Sequence, residues 1–158
     1  MNIITENNEF DFDYLVLKLG NDIYRISYIY CKNYADAEDV VQDTFLELFN
    51  HQKPFKDYEH IKRWLMTVAV NKSKNIMNSY WYKNTKVLHE EIAYYDKDIS
   101  DLYITICKLP KKYRVTVVLY YYYGYSVSEI SDIMKVSESS VQTRLMRARQ
   151  KLKKYLKG

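Results

Sequence analysis

The chain has 158 residues, with 24 Lys and Arg against 20 Asp and Glu, three Gly, two Pro, two Cys and 18 Tyr. That length accommodates one compact domain or two small ones. A content of 47% hydrophobic and 28% charged residues supplies a core, which argues against bulk disorder. No apolar run approaches the roughly 20 residues of a membrane span. The polar, acidic start from Met1 to Phe10 has neither the basic nor the apolar segment of a secretion signal. The expectation is a cytoplasmic protein with no direct membrane insertion.

Proline and glycine are too scarce for many turns, so long helices are expected rather than sheet. Phe10 to Cys31 reads as one long helix with a wide apolar stripe. A second helix is expected from an Asp36 N-cap to Asn50, with Val41, Phe45, Leu48 and Phe49 inward. His51 to Glu59 contains Pro54 and reads as a loop. A third helix is expected from about His60 to Trp81, with Ile61, Leu65, Val68 and Ile76 buried. Lys83 to Ser100 has weaker periodicity, is acidic, and reads as a linker. Cys31 and Cys107 have apolar neighbours and read as buried inert thiols. His51, His60 and His89 show no ligand spacing, so neither a metal nor a cofactor is expected.

The net charge of +4 conceals a gradient. Residues 1–83 carry net −2, residues 84–101 net −3 and residues 102–158 net +9. A small unit at +9 has the electrostatic footprint of a polyanion binder, because contacts to phosphate release condensed counterions. Within it, Lys111 to Tyr123 reads as an apolar helix after Pro110, closed by Gly124. Ser126-Val127-Ser128-Glu129 has the pattern of a capping box opening a short helix with Ile130, Ile133 and Met134 inward. Val136 makes the turn, and Ser137 caps a longer helix reaching about Tyr155. A short helix, a tight turn and a long basic helix make a helix-turn-helix. In the last helix Val141, Leu145, Ala148 and Leu152 form one buried stripe. Ser139, Thr143, Met146, Arg147 and Gln150 lie opposite, with Gln142, Arg144 and Arg149 on the flanks and Lys151, Lys153 and Lys154 at the end. Gln, Thr and Arg read base edges, and Lys meets phosphate.

Three motifs in order resemble a known family. Asp36-Ala37-Glu38-Asp39-Val40-Val41-Gln42-Asp43-Thr44-Phe45 resembles the polymerase-binding helix of bacterial sigma factors. Trp64-Leu65-Met66-Thr67-Val68-Ala69-Val70-Asn71-Lys72 resembles their promoter-melting helix. Leu109-Pro110, Arg114, Gly124 to Ile130 and Ser140 to Leu152 resemble their C-terminal domain. Order, spacing and length are similar to those of the extracytoplasmic-function sigma factors of the sigma-70 family, over nearly the whole chain.

The resemblance implies an all-α protein of two small helical domains joined by a flexible linker. Residues 1–83 would form the sigma-2 domain, 84–101 the linker, and 102–158 the sigma-4 helix-turn-helix domain. It implies an alternative sigma factor, not itself an enzyme, that directs core RNA polymerase to a promoter set. Glu38, Asp39, Gln42 and Asp43 would dock on the polymerase. Phe55, Tyr58, Asn71 and Lys74 would capture unpaired bases of the minus-ten element, with Lys56, Lys62, Arg63 and Lys72 on phosphates. Trp64, beside Leu65 and Val68, reads as core rather than as a stacking platform. Ser139, Gln142, Thr143, Arg144, Met146, Arg147, Gln150, Lys151 and Lys154 would meet the minus-thirty-five duplex. Gln142 stands where the family usually has Lys or Arg, and glutamine pairs bidentately with adenine. The implied partners are core RNA polymerase, promoter DNA and an anti-sigma factor, commonly a membrane-bound one.

Three rival functions are weighed against this. A stand-alone helix-turn-helix regulator leaves the N-terminal half without a task. A metal nuclease built on Asp36, Glu38, Asp39 and Asp43 lacks a nearby His or Lys to complete a catalytic set. A third possibility is an interaction module whose basic end binds an acidic protein.

Overall fold

A computed structural model describes residues 1–79 and 101–157. The expected linker, Lys83 to Ser100, and the expected helix end at Tyr80 and Trp81 lie outside the described residues. The chain divides into two compact units, Met1–Glu91 and Ile92–Gly158. Apart from one small sheet, the elements of both are helical.

The N-terminal unit begins with a hairpin that the helical pattern did not predict. β1 (Asn2–Ile4) and β2 (Glu9–Asp11) pair antiparallel, Ile3 opposite Phe10. The Thr5 hydroxyl donates to the Asn8 carbonyl at 2.8 Å and accepts from the Asn8 amide at 3.0 Å, which closes the turn. α1 (Phe12–Cys31) therefore starts two residues later than expected. Its buried face carries Leu15, Leu19, Ile23, Ile26 and Ile29. Fully burying one such side chain contributes about 1.5–3 kcal/mol, so this face is a main source of the unit's cohesion.

α2 (Tyr34–Phe49) is capped by Asn33, whose side chain accepts from the Asp36 amide at 2.9 Å. The expected Asp36 cap is thus corrected: Asp36 lies one turn inside the helix. The inward face also differs from the expected one: it is Ala37, Val40, Thr44, Phe45 and Leu48. Val41 is half-buried, and Phe49 lies 49% exposed. α3 (Tyr58–Met77) is capped by Asp57, which accepts from the His60 amide at 2.8 Å. The loop before it is therefore two residues shorter than expected. Ile61, Leu65, Met66, Ala69 and Val70 are buried, whereas Val68 and Ile76 are only half-buried. Each of the three helices packs on the other two. Cys31 is buried and Cys107 half-buried, both as free thiols.

The C-terminal unit contains α4 (Asp101–Cys107), α5 (Lys111–Val117), α6 (Val127–Met134) and α7 (Glu138–Lys157). α5 does not run on to Tyr123 as a regular helix. A π turn, Val118–Tyr122, follows it, and the Tyr123 amide reaches back five residues to the Val118 carbonyl at 3.1 Å. The wider turn keeps Val118 and Leu119 buried and leaves Tyr121 and Tyr122 exposed. Gly124 then takes φ of +73°, a left-handed conformation that costs glycine least.

The capping box of α6 is complete. Ser126 Oγ accepts from the Glu129 amide at 3.1 Å, and Glu129 Oε1 accepts from the Ser126 amide at 3.0 Å. Ser137 Oγ accepts from the Ser140 amide at 3.1 Å at the start of α7. Leu109, Tyr113, Val117 and Ala148 form a core cluster flanked by Ile106 and Leu152. The buried Arg114 guanidinium donates to the Leu109 carbonyl at 2.9 Å and so satisfies part of its own burial.

Candidate polymerase and nucleic-acid interfaces

Burial of Ala37, Val40, Thr44 and Leu48 turns the opposite side of α2 outward. Glu38, Asp39, Gln42 and Asp43 are all exposed. Leu46 and Phe49 continue this surface at 58% and 49% exposure, so the acidic face carries apolar side chains, of which Phe49 was expected inward. Phe49 is braced from the side by Phe12, ring to ring at 5.5 Å.

The loop between α2 and α3 is held by a cluster of rings. His51 stacks on Phe55 at 4.5 Å, and Trp64 meets both, at 4.9 Å and 5.5 Å. His60 meets Phe55 edge-on at 5.2 Å, while its Nδ1 accepts from the Lys56 amide at 2.9 Å. Burial, aided by Lys53 and His60, holds His51 below its ordinary value. At neutral pH it is therefore an uncharged ring with one donor and one acceptor.

Phe55, expected at a base, is 2% exposed: its ring is enclosed by His51, His60 and Trp64 and braces the loop. The open space lies beside it, a cleft of ≈190 Å³ lined by Asn2, Ile3, Ile4, His51, Gln52, Lys53, Pro54 and Phe55. Tyr58 is half-buried and packs on Phe10 at 5.5 Å.

Of the expected phosphate cations, Lys56 is exposed, as is Lys74, expected at a base. Lys72 is paired with Glu47 at 2.9 Å, and Lys62 lies 3.9 Å from Asp22, so both would exchange a carboxylate for a phosphate. Half-exposed pairs of this kind contribute only about 0–1 kcal/mol, so the exchange is cheap. Arg63 and Asn71 are half-buried.

On α7 the buried stripe is Val141, Leu145 and Ala148, with Leu152 half-buried. Ser139, Gln142, Met146, Arg147, Gln150 and Lys154 are exposed; Thr143, Arg144 and Lys151 are half-buried on its shoulders. Two phenols orient arginines here. The Arg147 guanidinium shares a hydrogen bond with the Tyr113 hydroxyl and, helped by Lys112 and Lys151, holds that phenol below its usual range. Arg149 Nε donates to the Tyr121 hydroxyl at 2.6 Å, with the guanidinium 5.6 Å from the ring centre.

Sequence reasoning missed the hairpin wall of the cleft and the Tyr121–Arg149 pair. The first had a local signal: Asn2 to Thr5 and Glu9 to Phe12 flank Asn7-Asn8, a turn-forming dipeptide between two short runs. The second depends on a π turn, which leaves no periodic mark. Among the described residues, no helix is long and apolar enough to cross a membrane, and no group of three or more His, Cys, Asp or Glu is placed to hold a metal.

Comparison with known proteins gives two family matches in sequence order. Residues 15–82 match Sigma-70 region 2, and residues 101–152 match Sigma-70, region 4. The chain is 30% identical over 151 residues to the ECF RNA polymerase sigma factor SigM of Bacillus subtilis, covering 84% of this chain and 87% of that one. It is 27% identical over 134 residues to the RNA polymerase sigma factor SigV of the same organism, covering 80% of each. The fold is similar to the sigma factor RpoE of Bartonella quintana, solved with the anti-sigma factor NepR. That match has a TM-score of 0.76 at 24% identity and covers 93% of this chain and 97% of that one. It is also similar to CnrH, solved with the cytosolic domain of CnrY, with a TM-score of 0.63 at 23% identity and coverage of 92% and 87%.

Proposed function

This chain belongs to the ECF RNA polymerase sigma factors of the sigma-70 family, and from that premise we propose how its surfaces divide the work of promoter recognition. It is an alternative sigma factor, which binds core RNA polymerase and directs transcription initiation at particular promoters. The observation that carries the division is one of order and exposure. A region 2 match lies on a unit with an exposed acidic helix face, and a region 4 match on a unit whose last helix exposes Gln142, Arg147 and Gln150.

In this reading residues 1–83 act as the sigma-2 domain, 102–158 as the sigma-4 domain and 84–101 as the linker. Glu38, Asp39, Gln42 and Asp43, joined by Leu46 and Phe49, dock on core polymerase. The loop before α3 and its cleft receive an unpaired base of the minus-ten element, with Tyr58 and Asn71 at the margin. Lys74 stands with Tyr58 and Asn71 on the base side, and Lys56, Lys62, Arg63 and Lys72 carry the single strand by its phosphates. An aromatic or polar cleft flanked by cations suits this task, since stacking holds a base while lysines follow the backbone. The exposed face of α7 reads the minus-thirty-five duplex, Arg147 and Gln142 reaching base edges and Lys151 and Lys154 meeting phosphate. No side chain is assigned a catalytic step, no cofactor is required, and the site of action is the cytoplasm. The similar fold of RpoE was solved with the anti-sigma factor NepR, which supports a protein of that kind as the regulatory partner here.

Transcription by purified core polymerase from a promoter library tests the assignment. The wild-type chain should confer sequence-specific initiation. The double substitution Asp39→Ala with Gln42→Ala should weaken binding to core enzyme by about tenfold while leaving the circular-dichroism melt unchanged, because both side chains are exposed. Duplex binding without any polymerase-dependent initiation would favour the stand-alone regulator.

A further inference from the structure

The hairpin at the start of the chain lies outside the family match, which begins at residue 15, yet it is built into the minus-ten cleft. Three independent contacts join it to the loop. The Phe55 amide donates to the Ile4 carbonyl at 2.9 Å, and the Glu6 amide donates to the Phe55 carbonyl at 3.1 Å, so Thr5 and Phe55 pair as parallel strand neighbours. Asn2, Ile3 and Ile4 supply one wall of the cleft, opposite His51 to Pro54. Phe10 covers the ring of Tyr58 on the other side of the loop. The hairpin is itself anchored: Ile3 and Thr5 are 5% and 6% exposed, and the Phe12 amide donates to the Met1 carbonyl at 3.0 Å.

We propose that the hairpin Asn2–Asp11 is a specificity-determining part of the minus-ten site: its main-chain pairing with Phe55 fixes the loop, and Asn2 presents the polar group on that wall against which an unpaired base is selected. This rests on the reading of the loop cleft as the base-receiving site. The chemistry follows from the wall's composition. Ile4, 54% exposed, offers apolar surface to the flat face of a base but its side chain has no donor or acceptor, while Ile3 is turned into the core. The Asn2 amide holds both, and its Nδ2 is steadied by Glu9 Oε2 at 3.0 Å while Oδ1 stays available to accept. A base with an exocyclic amine facing that oxygen gains a hydrogen bond; one presenting a carbonyl there loses it. The hairpin's second role is mechanical. Loops capture ligands poorly when they must first be ordered, and strand pairing on the Phe55 backbone removes that cost in advance.

The test uses full-length protein with core polymerase on a promoter library randomised across the minus-ten element. Three variants are compared: Asn2→Ala on the hairpin wall, Gln52→Ala on the loop wall, and Glu6→Pro, which deletes the amide that holds the Phe55 carbonyl. All three positions are exposed, and circular-dichroism melts check that the fold is kept. Asn2→Ala should change the preference at one minus-ten position by about tenfold, with the minus-thirty-five preference unchanged. Glu6→Pro should lower open-complex formation severalfold at every minus-ten sequence, without altering core affinity. If Gln52→Ala shifts the selection and Asn2→Ala and Glu6→Pro behave as the parent, the hairpin has no part and the loop site stands alone. If Gln52→Ala, Asn2→Ala and Glu6→Pro all match the parent, the cleft itself is not the base-receiving site and both readings fail.

Discussion

The two surfaces proposed to meet DNA are made in opposite ways. The C-terminal one is a single helix: α7 buries Val141, Leu145 and Ala148 and thereby turns Gln142, Arg147 and Gln150 outward. The N-terminal one is a composite, since residues 2–4 and 51–55 meet across the chain to line one cleft. Duplex DNA presents a regular groove, and one rigid helix suffices to fill it. An unpaired base has no such frame, so its receptor must enclose it from several sides. A surface carried by one element fails or survives as a unit, whereas a composite one can lose a wall and keep the rest.

That contrast is broken most strongly at the base of α7. Leu145→Ala removes a 3%-exposed side chain beneath the reading face and should cost about 2–5 kcal/mol of stability. Thermal unfolding should register the loss, together with weaker binding to a minus-thirty-five duplex. A smaller change separates reading from holding. Arg147→Ala should cost about 1–3 kcal/mol and relax the preference at one minus-thirty-five base pair, while Gln142→Arg should redirect it, both scored by selection from randomised promoters. Smaller again is Lys154→Ala. It should weaken all sequences alike and lower the salt slope of duplex binding by about one, with the selected sequence unchanged.

The smallest effect lies at the composite site. In the unfolded chain His51 takes up a proton near the ordinary value of 6.5, but in the folded one burial and nearby cations delay it. The folded pKa is depressed, so the unfolded state binds the proton first as pH falls below 6.5. Stability should then decline from that point down to the folded value. His51→Gln should flatten this part of a plot of melting temperature against pH.

Local sequence carried the C-terminal unit almost whole. The capping pair Ser126 and Glu129, the Gly124 turn and the Val141/Leu145/Ala148 stripe all follow short-range rules that operate within one turn of helix. The π turn escaped, because a tyrosine-rich run fits a regular helix equally well by pattern. In the N-terminal unit three long helices were legible, but their phase was not fixed by periodicity alone. The expected stripe placed Val41 and Phe49 inward, whereas the helix buries Ala37 and Val40 and leaves Phe49 exposed. Phe55 shows the limit most clearly. An aromatic residue beside Pro54 and Lys56 has the composition of a DNA contact, and its enclosure by His51, His60 and Trp64 is visible only in the fold. The cleft wall from Asn2 to Ile4 depends on pairing across some fifty residues, which no local pattern encodes.

One selection tests the division of labour most directly. Core polymerase carrying the parent chain, Arg147→Ala or Gln52→Ala would be presented with a library randomised at both promoter elements, and the initiating sequences read. Arg147→Ala should alter the minus-thirty-five preference and leave the minus-ten preference intact, and Gln52→Ala should do the reverse. If either substitution shifts the other element instead, or if both select the parent's sequences, the assignment of the two surfaces is contradicted.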